Sequence, residues 1–210
     1  MKLTHQLGLC LLVSAQAVAA PSDKLIEQYN QAAQGDEEKV ESVYEQLQGQ
    51  IEKQGGDALT LVYLGSTQTL MGRDAFLPWN KMKYVEQGLG TIAKGLDMLS
   101  GDTTPVPLQE IRQGLPESLL ARAVAATTYT SLPDMFNHFE RGYELYSGLL
   151  SEQAFRSQSF DAIAWVYIYA IQAAIRAEDS IQAQKWAQEM STLNAQHPMT
   201  LQAIAMANNA

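Results

Sequence analysis

Histidines and carboxylates are the side chains of this sequence that could carry out acid–base or metal chemistry, and they are few and scattered. Beyond the N-terminal segment only His138 and His197 remain. The His138-Phe139-Glu140 triplet lacks the cysteines that complete a zinc deaminase site. His197 precedes Pro198 at the end of a predicted helix, where a protonated imidazole would complement the helix dipole. The sequence therefore predicts neither a metal ligand nor a catalytic histidine.

No other side chains form a recognisable catalytic pattern. Two pairs of acids, Glu37 with Glu41 and Glu178 with Asp179, have the spacing of exposed helix faces and caps. A glycosidase instead needs two carboxylates that converge across a sugar-sized cleft. The sequence has no His-Glu-x-x-His zinc motif, no Gly-x-Ser-x-Gly nucleophile elbow and no phosphate-binding loop. We therefore predict a protein with no catalytic residue and no cofactor.

The segment 73–81 is the first candidate binding site, because it places bulky aromatic side chains beside charged ones between two predicted helices. Its candidate partner-binding residues are Arg73, Asp74, Phe76, Trp79 and Lys81. Aromatic and arginine side chains in a loop are typical anchors of protein–protein contacts. The alternative is that Phe76 and Trp79 fold back between the helices, and that Arg73 pairs locally with Asp74.

A helix predicted to begin near Ser159 is the second candidate, because it is apolar nearly all round. Such a helix either lies at the centre of a protein or exposes a groove. In the second case Trp165, Ile168 and Gln172, at positions i, i+3 and i+7, line one side of the groove. This geometry suits an apolar peptide, a partner helix or a second copy of the chain in a homodimer.

Two further binding hypotheses involve other residues. A carrier of a small apolar molecule or lipid needs a closed apolar pocket, for which the candidates are Trp165, Tyr169, Tyr129 and Met135. A peptide carboxylate needs basic side chains that face a groove, for which the candidates by helix position are Arg122, Arg141 and Arg176.

The first twenty residues have the features of a cleaved secretory signal peptide. A lysine precedes a short apolar run at 7–13, and small residues at 17–19 fit cleavage after Ala19 or Ala20. The run is too short to span a bilayer. Cleavage would remove Cys10, the only cysteine, and would leave 13 basic and 23 acidic side chains, a net charge of −10. We therefore expect a periplasmic or secreted protein without disulfides that does not bind nucleic acid.

Helices are expected to position all of these residues, since apolar side chains recur every three or four residues and alternating β-branched runs are absent. We predict four helix pairs and a short tail helix: 23–34 with 36–54, 58–71 with 78–99, 107–131 with 133–150, the pair within 159–198 that breaks at 177–180, and 200–207. Gly114-Leu115-Pro116 is expected to kink or divide the helix 107–131. Gly88, Gly90 and Gly95 are expected to mark a close helix contact.

Two of these segments resemble tetratricopeptide repeats, which are antiparallel helical hairpins. In the first, Leu64-Gly65 occupies the paired Leu-Gly position of that motif, although Gln68 replaces the expected aromatic residue. In the second, small and aromatic residues fall near the expected positions, at Tyr167, Ala170, Ala174, Ala183 and Ala187. The segment 78–89 is also similar to one in small exported bacterial proteins of uncharacterised role. The resemblance implies a stack of helical hairpins that binds other molecules.

The sequence as a whole predicts one all-α domain, residues 21–210, built as a helical-hairpin solenoid of about eight helices in four antiparallel pairs. The leading functional hypothesis is a non-catalytic scaffold that docks a protein or peptide of the cell envelope. The alternative is a small-molecule or lipid carrier.

Overall fold

The computed structural model describes residues 20–209, and most of these residues are helical. Ten α-helices succeed one another in this part of the chain: α1 (Asp23–Ala33), α2 (Glu38–Gln54), α3 (Ala58–Asp74), α4 (Pro78–Gly101), α5 (Glu117–Ser131), α6 (Phe139–Ser151), α7 (Gln153–Arg156), α8 (Phe160–Arg176), α9 (Ser180–Asn194) and α10 (Pro198–Asn208). The strands in the described range are β1 (Ile111–Arg112) and β2 (Leu115–Pro116), which form an antiparallel hairpin. The predicted all-α class is confirmed. The predicted signal segment, apart from Ala20, lies outside the described residues.

Local signals in the sequence account for several helix starts. The Asp57 carboxylate accepts a hydrogen bond of 2.6 Å from the backbone N–H of Thr60 and caps α3. Asp179 caps α9 in the same way through the N–H of Gln182. Pro78 and Pro198 stand at the first positions of α4 and α10, where the missing N–H costs no hydrogen bond. These ends follow from side chains within three residues of the boundary, so sequence analysis finds them.

The helix predicted for 107–131 begins only at Glu117, so the prediction for 107–116 is wrong. A 3₁₀ turn at Val106–Leu108 is followed by the β1–β2 hairpin. Between the strands Gln113 and Gly114 have φ of 50° and 78°, as a tight hairpin turn requires. A right-handed helix cannot pass through two successive left-handed residues. Gly114 thus belongs to a turn, and Pro116 directly precedes α5.

Two other boundaries differ from the predicted ones. The helix predicted from 133 begins at Phe139, because a 3₁₀ turn at Asp134–Phe136 ends in Asn137 with a left-handed φ of 59°. The short helix α7 was not predicted; Phe155, which it carries, is fully buried. The tail helix α10 begins at Pro198, slightly before its predicted start.

Helices α3 and α4 approach each other closely along their length because glycines face across the contact. A Cβ atom added to Gly88 would lie 2.5 Å from the carbonyl oxygen of Gly65, and one added to Gly95 would lie 2.8 Å from that of Ala58. The predicted close contact is confirmed at these two glycines. A Cβ added to Gly90 would meet no atom within 4 Å, so Gly90 takes no part in it.

The core extends from α1 to α10, and α3, α5 and α8 contribute most of its buried side chains. α3 packs on α1, α2, α4 and α5, whereas α8 packs on α5, α6, α9 and α10. The largest side chains with almost no exposed surface include Tyr129, Tyr146, Tyr167 and Phe155. None of the helices in the described range is both long enough and apolar enough to cross a membrane.

Candidate functional site

Phe76, in the turn between α3 and α4, and Trp79, in the first turn of α4, are the most exposed aromatic side chains of the described residues. Phe76 is 92% exposed and Trp79 is 66% exposed, so they do not fold back between the helices. Backbone and side-chain hydrogen bonds hold the turn. The N–H of Ala75 donates to the carbonyl of Met71 at 2.9 Å, and the Lys81 ammonium donates to the carbonyl of Arg73 at 2.8 Å. The two aromatic side chains therefore project from a well-supported turn.

Arg73 and Asp74 stabilise this turn at the protein surface. The Arg73 guanidinium donates two hydrogen bonds to the Asp74 carboxylate, of 2.5 and 2.9 Å. It also donates to the carbonyl of Ala32 at the C-terminal end of α1, at 3.2 Å. The bond to Asp74 raises the pKa of Arg73 above its usual value. The alternative of a local Arg73–Asp74 pair is therefore the arrangement observed, and both charges are already occupied.

A shallow groove of about 530 Å³ runs beside this turn, between α2 and the start of α4. Its apolar surface comes from residues of three helices and the turn, namely Val40, Met71, Ala75, Phe76, Leu77 and Tyr84. Its polar lining consists of Glu37, Glu41, Asp74 and Asn80. We call this set the Phe76 groove. The side of the groove formed by α2 was not predicted from the sequence. The spacing of Glu37 and Glu41 predicts an exposed helix face, but it does not show which element lies across from that face.

The second predicted surface, on α8, is not a continuous exposed row. Ile168 is buried, Trp165 is half-buried and Gln172 is exposed. The Trp165 and Tyr169 rings make an edge-to-face contact with centroids 6.2 Å apart. α8 contacts four neighbouring helices. Of the two predicted arrangements, a central helix therefore describes α8 better than an exposed groove. Of the three residues named for this surface, only Trp165 and Gln172 are accessible.

The three candidate arginines serve different purposes. Arg176 donates to the carbonyls of Thr130 and Leu132, at 2.6 and 3.1 Å, pairs with Asp134, and lies 4.6 Å from the centre of the Phe139 ring. It therefore closes the C-terminal end of α5 and faces no groove.

Arg122 and Arg141 do line one cleft, of about 410 Å³, together with Asp97 on α4 and the segment 102–109. Arg122 forms two hydrogen bonds with Glu152. Arg141 lies 5.3 Å from the centre of the Tyr129 ring. The Tyr129 hydroxyl is buried without a hydrogen-bond partner among the described residues. Burial raises the pKa of this hydroxyl, Arg141 lowers it and Asp97 raises it, so all three groups lie near one another.

Residues proposed for an apolar carrier pocket are not gathered in one place. Tyr129 is fully buried and Met135 is exposed. None of the four candidates lines either cavity described above, nor a smaller one beside Trp186. Trp165 and Tyr169 are in contact with each other.

The histidines take structural positions. Nδ1 of His197 accepts a hydrogen bond of 3.2 Å from the N–H of Met199, so His197 caps the start of α10 and does not complement the end of α9 as predicted. Nδ1 of His138 lies 2.5 Å from the carbonyl oxygen of Phe136. The described residues contain no cluster of three or more His, Cys, Asp or Glu that could hold a metal ion.

Comparison of the chain with protein-family models, curated proteins and solved structures found no match.

Proposed function

We propose that this protein is an exported, non-catalytic binding module that docks a protein or peptide through the α3–α4 turn. The exposure of Phe76 and Trp79 beside the Phe76 groove carries the proposal. Two large aromatic side chains on one turn cost free energy in water, and they are the residue types that anchor protein contacts. Arg73 and Lys81 already hold the turn in one conformation. Binding of a partner would therefore cost little conformational entropy of the turn.

We also propose that the helices form a solenoid of antiparallel hairpins of the tetratricopeptide-repeat type: α1–α2, α3–α4, α5–α6 and α8–α9. Two observations support this architecture. The first helices of successive hairpins pack on one another, α1 on α3, α3 on α5 and α5 on α8. An arginine also recurs in the same role, since Arg73 of α3 closes the end of α1 and Arg176 of α8 closes the end of α5.

Export is the part of the proposal that depends on the N-terminal sequence. We propose that the chain is cleaved after Ala19 or Ala20 and acts in the periplasm or outside the cell. Intact-mass analysis of the protein recovered from periplasmic and cytoplasmic fractions checks this. A full-length mass in the cytoplasmic fraction alone would contradict it.

Site-specific photocrosslinking in intact cells tests the docking function. A benzophenone amino acid replaces Trp79 in one variant and Ile181 in the control, because Ile181 is an 84% exposed aliphatic residue on α9, away from the turn. We expect a discrete protein adduct from position 79 that is absent from position 181. The adduct should disappear when Phe76→Ser is added. Equal adducts from both positions, or none from position 79, would refute docking at this turn.

A second candidate function, binding of a small amphipathic molecule, is favoured by the cleft that Arg141 lines. Arg141 lines this cleft and forms no salt bridge with a carboxylate among the described residues, so an anionic group of a ligand would pair with it there. Leu96, Leu99 and Leu145 supply the apolar part of the same lining. Native mass spectrometry of the purified protein should then show a bound small molecule that is lost in Arg141→Ala and retained in Arg156→Ala. A protein that carries no small molecule rules this function out.

A further inference from the structure

Charges around the Phe76 groove are uneven. Three carboxylates line it, Glu37, Glu41 and Asp74, and no lysine or arginine does so among the described residues. Asp74 is neutralised by Arg73. Glu37 and Glu41 have no such cation, so two negative charges remain beside an apolar floor.

Cations near the groove are held elsewhere. Lys39 pairs with Asp36, and Lys81 donates to the carbonyl of Arg73. The Glu37 carboxylate contributes to the raised pKa of Arg73, after the larger effect of Asp74, so part of its field falls on a cation that Asp74 already pairs. Because neither Glu37 nor Glu41 forms a salt bridge of its own among the described residues, most of their negative field remains available to a partner.

We infer that the partner segment which docks in the Phe76 groove carries a lysine or arginine next to an apolar side chain. This inference rests on the docking function proposed above and specifies its partner. The apolar side chain would lie against Val40, Met71 and Phe76, and the cation would face Glu37 and Glu41. These carboxylates are one helical turn apart on α2, so both can reach one cation or two neighbouring ones.

The net charge of the protein disfavours acidic partners. The chain beyond residue 20 has a net charge of −10, so acidic peptides and anionic lipid surfaces approach against a repulsive field, to which Glu37 and Glu41 add at the groove. A basic amphipathic segment meets both an apolar floor and an attractive rim.

Binding of two dye-labelled synthetic helical peptides tests the inference. The peptides share one leucine face, and their polar face is lysine in one and glutamate in the other. Two double variants of the purified protein are compared. The test variant carries Glu37→Gln and Glu41→Gln, and the matched control carries Glu38→Gln and Glu45→Gln. The control removes the same charge from the same helix at exposed residues that do not line the groove. Fluorescence anisotropy gives the Kd of each combination.

We expect the lysine peptide to bind and the glutamate peptide not to bind. The Glu37/Glu41 variant should weaken binding of the lysine peptide by about five- to tenfold, and the control pair by less than about twofold, because exposed ion pairs contribute only modestly. Raising the ionic strength from about 0.05 to 0.5 M should reduce this difference. Equal weakening by both pairs would assign the effect to net charge and overturn the inference.

The two proposals can fail separately. A crosslink from position 79 together with a glutamate peptide that binds as well as the lysine peptide leaves the docking function standing and overturns the choice of a basic partner. Absence of both the crosslink and peptide binding overturns both.

Discussion

The two helices of the α3–α4 hairpin and the two helices of the α8–α9 hairpin pack on each other through opposite kinds of residue. α3 and α4 meet through glycines, so that Gly65 and Gly88 bring backbone against backbone. α8 and α9 meet through alanines and large side chains, including Ala183, Trp186 and Met190, all of which are buried. The first contact depends on the absence of side-chain atoms, and the second depends on their presence.

Their turns differ as well. Glu178 takes a left-handed φ of 58° in the α8–α9 turn, and Asp179 both caps α9 and accepts a 2.9 Å hydrogen bond from the Tyr143 hydroxyl. That turn is tied into the core. The α3–α4 turn instead exposes Phe76 and Trp79. The comparison shows that the apolar character of a side chain does not by itself decide its exposure, since Phe76 and Trp79 face solvent whereas Trp186 and Met190 are buried.

Adding a methyl group to the glycine contact should have the largest effect. In Gly88→Ala the new Cβ would lie 2.5 Å from a backbone oxygen of α3, so the helices must separate. We expect the free energy of unfolding to fall by about 2–3 kcal/mol, measured by urea denaturation.

Two controls define the comparison. Gly90→Ala on the same helix has open space and should raise stability by about 0.5–1 kcal/mol. Removing a methyl group from the other hairpin, in Ala174→Gly, should lower it by about 1 kcal/mol. If Gly88→Ala and Gly90→Ala changed stability alike, the glycine contact would not matter.

Loss of the arginines that close α1 and α5 should rank second. Arg176→Ala removes hydrogen bonds to two carbonyls, the pair with Asp134 and the contact with Phe139. Because the side chain is partly exposed, we expect a cost of only about 1–2 kcal/mol. Arg73→Ala should cost about 1 kcal/mol, since within the described residues Arg73 does not stack on a ring as Arg176 does on Phe139. Lys94→Ala, an exposed cation on α4, should stay within about 0.5 kcal/mol and serves as the control in thermal denaturation. A larger loss for Arg73→Ala than for Arg176→Ala would reverse the expected order.

Alkaline pH should weaken both hairpins through their buried tyrosines. Burial raises the pKa of Tyr63 on α3 and of Tyr167 on α8, and Glu189, 3.3 Å from the Tyr167 hydroxyl, raises the latter further. An unfolded tyrosine ionises near pH 10 while the folded one keeps its proton, so each tyrosine's stabilising contribution is complete below pH 10 and is lost as pH rises towards the folded pKa. The loss is at most about 1.4 kcal/mol per pH unit for each tyrosine.

Absorbance titration of tyrosinate distinguishes the two sites. Glu189→Gln should lower the pKa of Tyr167 and leave that of Tyr63 unchanged. Tyr167→Phe and Tyr63→Phe identify which transition belongs to which residue. A shift of both transitions in Glu189→Gln would contradict the assignment of the Glu189 effect to Tyr167 alone.

The smallest effect should come from the hydroxyl pair that joins the two halves of the molecule. Ser66 on α3 and Thr128 on α5 are hydrogen-bonded at 2.8 Å and buried. Ser66→Ala alone leaves the Thr128 hydroxyl with one partner fewer, and we expect a cost of about 1 kcal/mol. The double variant with Thr128→Val should cost less than the sum of the single variants. Strict additivity in urea denaturation would mean that the pair does not couple α3 to α5.

Local signals made much of the fold predictable. The cap at Asp57, the prolines at the starts of α4 and α10, and the three- to four-residue spacing of apolar side chains each act within a few residues, so the sequence reveals them directly. The same approach failed at 107–116, where Gln113 adopts a left-handed backbone that its residue type does not announce. Its backbone and side chain both donate to the Asp23 carboxylate at the start of α1, ninety positions earlier in the chain.

The candidate site was predictable only in part. Phe76 and Trp79 stand out in the sequence as a pair, and so do Trp165 and Ile168, yet the first pair is exposed and the second is mostly covered. Glu37 and Glu41 join the site from a separate helix, which no spacing in the sequence could indicate.

By itself the sequence determined the all-α class, most of the helices and the cap at Asp57, because these depend on residue type and on neighbours within one helical turn. Only the tertiary structure decided which apolar residues face water. Burial depends on elements distant in the chain: α8 is covered by α5, α6, α9 and α10, whereas the α3–α4 turn lies beside a groove that the described residues leave open.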